Sequence, residues 1–157
     1  MENYLKILED SLQQKLSVLE EIFQYNQEQE KLLKKQDVSL EELDDNMSKK
    51  DALVEKLAGL DQGFETLYER IREQLLSGKD SYKAQIKKLQ DLISQVTEKG
   101  VSIQAQEARN KKLVEKYFSE ERARLKSDRQ TSQAAYNYYK NMSNTNVMPP
   151  QYMDQKK

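Results

Sequence analysis

Apolar residues return along this chain at steps of three and four. Leu5, Leu8, Leu12, Leu19, Ile22 and Leu33 fall on one stripe, widened by Leu16 and Phe23. That spacing predicts an amphipathic helix over about residues 2–36. Asn26 and Gln29 sit on the same stripe, so its far end is polar. In QDVSLEEL, Ser39 and Glu42 have the spacing of a capping box, in which each side chain satisfies the other residue's free backbone N–H. A second helix is predicted over about residues 40–76, with Leu43, Met47, Val54, Leu57, Phe64, Leu67, Ile71 and Leu75 as its stripe. Gly59 and Gly63 lie inside it. A kink or break there is one alternative, and close approach of a neighbouring helix at Gly63 is another. Gly78 then suits a left-handed helix C-terminus, and Asp80 suits the next N-cap. A third helix is predicted over about residues 80–140, with Tyr82, Ile86, Leu89, Ile93, Val96 and Ile103 in a heptad frame.

The same frame runs on through Glu107, Asn110, Val114, Tyr117, Glu121, Arg124, Asp128 and Thr131, so the third seam becomes mostly polar while helix formers persist. It becomes less polar at Ala135, Tyr138 and Met142, and Pro149-Pro150 ends any helix. Residues 1–142 are therefore expected to form one helical bundle, and 143–157 a flexible tail. Helices of about 35 residues span roughly 50 Å, whereas one of about 60 spans roughly 90 Å. Short connections make successive helices antiparallel neighbours. The expected fold is all-α: an elongated antiparallel three-helix bundle or coiled coil whose long C-terminal helix overhangs from near Val114. Asn110 and Thr131 either mark the end of the bundle or set register in an oligomer, as a buried Asn does in coiled coils.

Composition narrows the chemistry. Charged residues make up 34% of the chain and hydrophobic ones 36%, enough for a narrow seam between helices but not for a thick core. With no Cys and no His, disulfides and thiolate or imidazole metal sites are excluded, as is the Glu-x-x-His motif of di-iron bundles. The carboxylate pairs Glu41-Glu42, Asp44-Asp45 and Glu120-Glu121 sit in charged helical surface and read as solvated faces. No Gly-rich phosphate loop or nucleophile elbow occurs. No enzymatic activity, cofactor or metal is expected. No secretory signal is visible and no apolar run approaches membrane-spanning length, so a cytoplasmic protein without membrane insertion is expected. The first sixty residues are net acidic and the last thirty net basic. The tail's cations (Lys126, Arg129, Lys140, Lys156, Lys157) are scattered, so no nucleic-acid partner is expected.

One segment departs from this pattern. From about Ala134 to Met153 charge thins out, and Tyr136, Tyr138, Tyr139, Met142, Val147, Met148, Tyr152 and Met153 take its place. Tyr supplies large contact area at low entropy cost, and Met adapts to varied surfaces. A disordered tail and a segment packed back on the bundle are the competing readings; partner binding is favoured. The surface expected to bind comprises Val114, Tyr117, Phe118, Leu125, Tyr136, Tyr138, Tyr139 and Met142. The alternative function class is a structural coiled-coil scaffold or homodimeric spacer, in which the seams pair between chains.

Together these features resemble the FlgN-type flagellar export chaperones. SKKDALVEKLAGL is similar to that family's Lys-x-x-Leu-x-x-x-Leu pattern through Lys50, Leu53 and Leu57. EARNKKLVEKY resembles its Asn-containing stretch through Asn110 and Leu113, and Tyr136–Tyr139 resembles a tyrosine near the family's end. Lys140-Asn141-Met142 stands where the family usually has a glycine, and the PPQYMDQKK end is unusual for it. The resemblance implies a cytosolic helical chaperone that holds hook-associated, filament-junction proteins unassembled and escorts them to flagellar type III export. It implies capture of amphipathic terminal segments of those proteins by the C-terminal helical region, carried over here as residues 114–142, with export-machinery components as further partners.

Overall fold

The computed structural model describes residues 1–127, which form α1 (Glu2–Lys34), α2 (Leu40–Ser77) and α3 (Lys83–Ser127). The fold is the all-α helical bundle that the stripes predict. α1 packs along both other helices, while α2 and α3 stay farther apart. Each α3 residue sits beside the α1 residue about 80 positions earlier, as Gln106 does beside Asn26, so these two helices run parallel and α2 runs against both. The seam that a homodimeric spacer would pair between chains is filled here within one chain. The predicted continuation of the third helix to residue 140, the tail 143–157 and Thr131 lie outside the described residues.

Local signals explain the helix ends. Ser39 is extended (φ −83°, ψ 113°), and its Oγ accepts from the Glu42 N–H at 3.3 Å. The Glu42 carboxylate turns instead to Lys35 Nζ at 3.7 Å, so the capping box is half formed. Gly78 corrects the sequence expectation. Its φ is −107°, not left-handed, and its N–H donates to the Gln74 carbonyl at 3.0 Å. A Cβ at this position would lie 3.3 Å from that carbonyl and 3.4 Å from the Tyr82 ring, so glycine provides room, not handedness. Asp80 does not begin the next helix. Ser81 N–H donates to the Gly78 carbonyl at 2.9 Å, and α3 starts at Lys83 after this turn.

α2 runs unbroken through Gly59 and Gly63, and no helix approaches either one: a Cβ on each would meet nothing within 4 Å. Both possibilities raised by these glycines are thus corrected. G59A and G63A are each expected to stabilise the bundle by about 0.5–1 kcal/mol, because alanine has less backbone entropy to lose in a helix. A higher urea midpoint at unchanged slope checks this.

The core consists of apolar clusters separated by polar layers. A proximal cluster joins Leu5, Leu8 and Leu12 to Ile71, Leu75, Leu89 and Leu92. A middle cluster joins Val18, Leu19 and Ile22 to Leu57, Val96 and Ile103. Lys15 and Asp61 lie between the two as a buried ion pair at 2.7 Å. Ile93, expected on the seam, is 43% exposed, and Leu92 is buried instead. By spacing alone Leu92 shares the face of Leu89 and Val96 as well as Ile93 does, so the choice between them falls to tertiary packing, which puts Leu92 in the proximal cluster.

Ion pairs tie α1 to α3 along the outside, at Glu9–Lys88 and Glu20–Lys99. The Lys99 ammonium, which also lies over the Phe23 ring, holds the Glu20 carboxyl below its usual 4.5 by hydrogen bonding; Gln24 adds to this. A depressed folded-state pKa means that the pair's contribution is present above 4.5 and is lost as pH falls through the lowered value. The carboxylate is half in water, so the contribution stays below about 1 kcal/mol. E20Q is expected to be slightly less stable than the parent at neutral pH and to match it in acid, as urea unfolding across pH would show.

Candidate functional site

The distal end of the bundle, where α1 turns into α2, collects the described part of the predicted binding surface. It begins with a buried polar layer. Lys50 Nζ lies 2.9 Å from Glu107 Oε1 and donates to Gln29 Oε1 at 3.0 Å. Asn110 Nδ2 donates to the Asn26 carbonyl at 2.9 Å and to Gln29 Oε1 at 3.1 Å. Asn26 Nδ2 donates to Gln106 Oε1 at 3.1 Å, and Gln106 Nε2 to the Phe23 carbonyl at 3.2 Å. Asn46 Nδ2 reaches the Tyr25 carbonyl at 2.9 Å. Each of these polar side chains is at most 5% exposed. A mismatched helix register would strand these groups without partners, so the layer fixes how the three helices align.

Beyond the layer lies the distal cluster. Val114 and Phe118 of α3, each 1% exposed, pack with Leu43 of α2, and Leu33, Val38, Leu40 and Met47 close around them. The expectation of an overhang starting near Val114 is therefore corrected. α1 itself ends level with Val114, but the turn at residues 35–39 and the first turns of α2 extend the cover. Asn110 does not mark the end of the bundle either: it is bonded inside it.

Of the other predicted residues, Tyr117 and Leu125 are half-buried at the rim of this cluster, with the Tyr117 and Phe118 rings 5.5 Å apart. Tyr136, Tyr138, Tyr139 and Met142 lie outside the described residues. A cleft of about 490 Å³ opens beside Tyr117. Leu33, Val38 and Leu113 contribute apolar patches to a lining that is mostly polar and carries both signs of charge, including Lys35, Lys116 and Glu120. A mixed apolar and charged cleft of this kind suits the flank of an amphipathic helix better than a small molecule, which favours a mostly apolar pocket. Among the described residues, no group of His, Cys, Asp or Glu could hold a metal ion, and no helix is long and apolar enough to cross a membrane.

A family model described as FlgN protein matches residues 1–144, nearly the whole chain and the entire bundle. The chain belongs to the FlgN family. As an FlgN-family protein it is a flagellar export chaperone. No curated protein and no solved structure matches it. Two positions that carry the FlgN resemblance, Lys50 and Asn110, meet through Gln29 in the polar layer. They hold the helices in register, a role that motif spacing alone did not reveal. Missed altogether was Glu107 as the buried partner of Lys50. Its seam position was the signal, since a charged residue on a buried stripe needs a counter-charge.

Proposed function

We propose that this protein is a cytoplasmic type III export chaperone that keeps hook-associated, filament-junction proteins unassembled. It does so by docking an amphipathic terminal segment of the cargo on distal α3 and the residues that follow. The family match through residue 144 carries this reading, because it includes the whole tyrosine and methionine cluster to Met142. The cleft beside Tyr117 supports it, bringing Leu33, Val38 and Leu113 together with charges of both signs next to α3. In this reading Tyr117, Leu125, Tyr136, Tyr138, Tyr139 and Met142 touch cargo directly. Val114 and Phe118 join them only when uncovered.

A few such side chains offer about 1.5–3 kcal/mol each before ordering costs, which is compatible with micromolar or tighter capture. The test is light scattering on the purified chain, alone and mixed with a hook-associated protein. A monomer that forms a defined heterocomplex and gains helicity is expected. A stable self-dimer with concentration-dependent melting and no heterocomplex would replace this reading with a structural spacer.

A further inference from the structure

The polar layer divides the bundle unequally. On one side lie the proximal and middle clusters, with ion pairs bracing α1 against α3. On the other, among the described residues, lies a distal cluster of three buried residues, Leu43, Val114 and Phe118, ringed by apolar side chains that are only partly buried. Within the layer, Asn26 Oδ1, Gln29 Nε2, Asn46 Oδ1 and Asn110 Oδ1 are buried with no hydrogen-bond partner among the described residues. These atoms gain hydrogen bonds to water when the helices part, whereas apolar side chains lose by parting. A bundle separates into independently opening parts at such a cross-section. Connectivity decides which helix leaves. The turn at residues 35–39 joins α1 to α2 at this end, and Asn46 bonds α2 to the Tyr25 carbonyl. α3 has no covalent link to the hairpin here.

We infer that α3 beyond Asn110 opens as a unit, swinging off the α1–α2 hairpin about Gln106–Asn110 and uncovering Leu43, Val114 and Phe118. Such opening gives cargo access to Val114 and Phe118, and in that respect it rests on the proposed capture function. The motion itself belongs to the chain alone, so it is tested without cargo and stands or falls separately.

The chain has no cysteine, so V114C and I103C each place a single thiol, one in the distal cluster and one in the middle. Both native side chains are 1% exposed. Iodoacetamide is expected to label V114C at least about tenfold faster than I103C in native buffer. Equal rates would overturn the inference. Hydrogen exchange on the unsubstituted full-length chain provides a second measurement that no cysteine can perturb. Amides of residues 111–125 are expected to exchange together, with a step in protection at the layer. A smooth rise in protection from the C-terminal side, as simple fraying gives, or one uniform level throughout, would overturn it.

Discussion

Glu107→Ala is expected to cost the bundle about 3–5 kcal/mol, among the largest losses from a single side chain. Glu107 and Lys50 are 3% and 5% exposed, and the charges are 2.9 Å apart. Truncating Glu107 leaves the Lys50 ammonium buried, with the Gln29 amide oxygen as its remaining acceptor in the layer. An amide dipole does not replace a carboxylate in a site shielded from water. Total stability for a domain of this size is about 5–15 kcal/mol, so E107A removes a large share of it. The double variant K50M/E107M keeps apolar volume and removes both charges, so it is expected to recover most of the loss. Urea unfolding followed by circular dichroism measures both. If E107A and K50M/E107M unfold at the same midpoint, the loss comes from packing, not from the stranded charge.

Deleting residues 130–157 is expected to do the opposite, sparing the fold and abolishing function. The three apolar clusters found among the described residues, and the polar layer, keep all their named members in the truncated chain. The melting temperature of the truncated chain should therefore stay within about 2 °C of the parent. Cargo capture loses Tyr136, Tyr138, Tyr139 and Met142. Even at a net 1 kcal/mol each, that weakens binding by about several hundredfold, since each 1.4 kcal/mol is tenfold. Co-elution with a hook-associated protein on size exclusion is the readout. Full retention of cargo by the truncated chain would remove the C-terminal segment from the binding surface. A melting temperature lowered by many degrees would show instead that the segment packs on the bundle.

The proposed opening links these two results. Val114 and Phe118 belong to the core of the bundle, and on the proposed reading they join the capture surface once it opens. Their substitution is therefore expected to affect folding and binding together, whereas changes beyond residue 130 are expected to affect binding alone.

Much of the helical architecture was legible because it rests on local rules. The leucine stripes of α1 and α2 reflect the 3.6-residue period, and Ser39 caps α2 through a neighbour three residues away. The lack of Cys and His narrows the chemistry through composition alone. Other features were visible as residues but not as meanings. Asn26, Gln29, Glu107 and Asn110 were evident as polar residues on apolar stripes, which fits a seam running out into solvent equally well. Which polar groups lie opposite one another depends on the relative slide of the helices, and no local pattern encodes that slide.

By itself, then, the sequence determined that this protein is a bundle of long helices with a chemically distinct C-terminal segment, because periodicity, capping and composition act within a few residues. Only the tertiary structure decided that the polar positions close on one another, pairing Lys50 with Glu107 and Asn110 with Gln29. It also decided that Leu92 is buried in place of Ile93, and that cover extends past Val114 to Phe118. Each of these outcomes depends on helix register and rotation. A slip of one turn, about 5.4 Å, would satisfy the same stripes while separating Lys50 from Glu107.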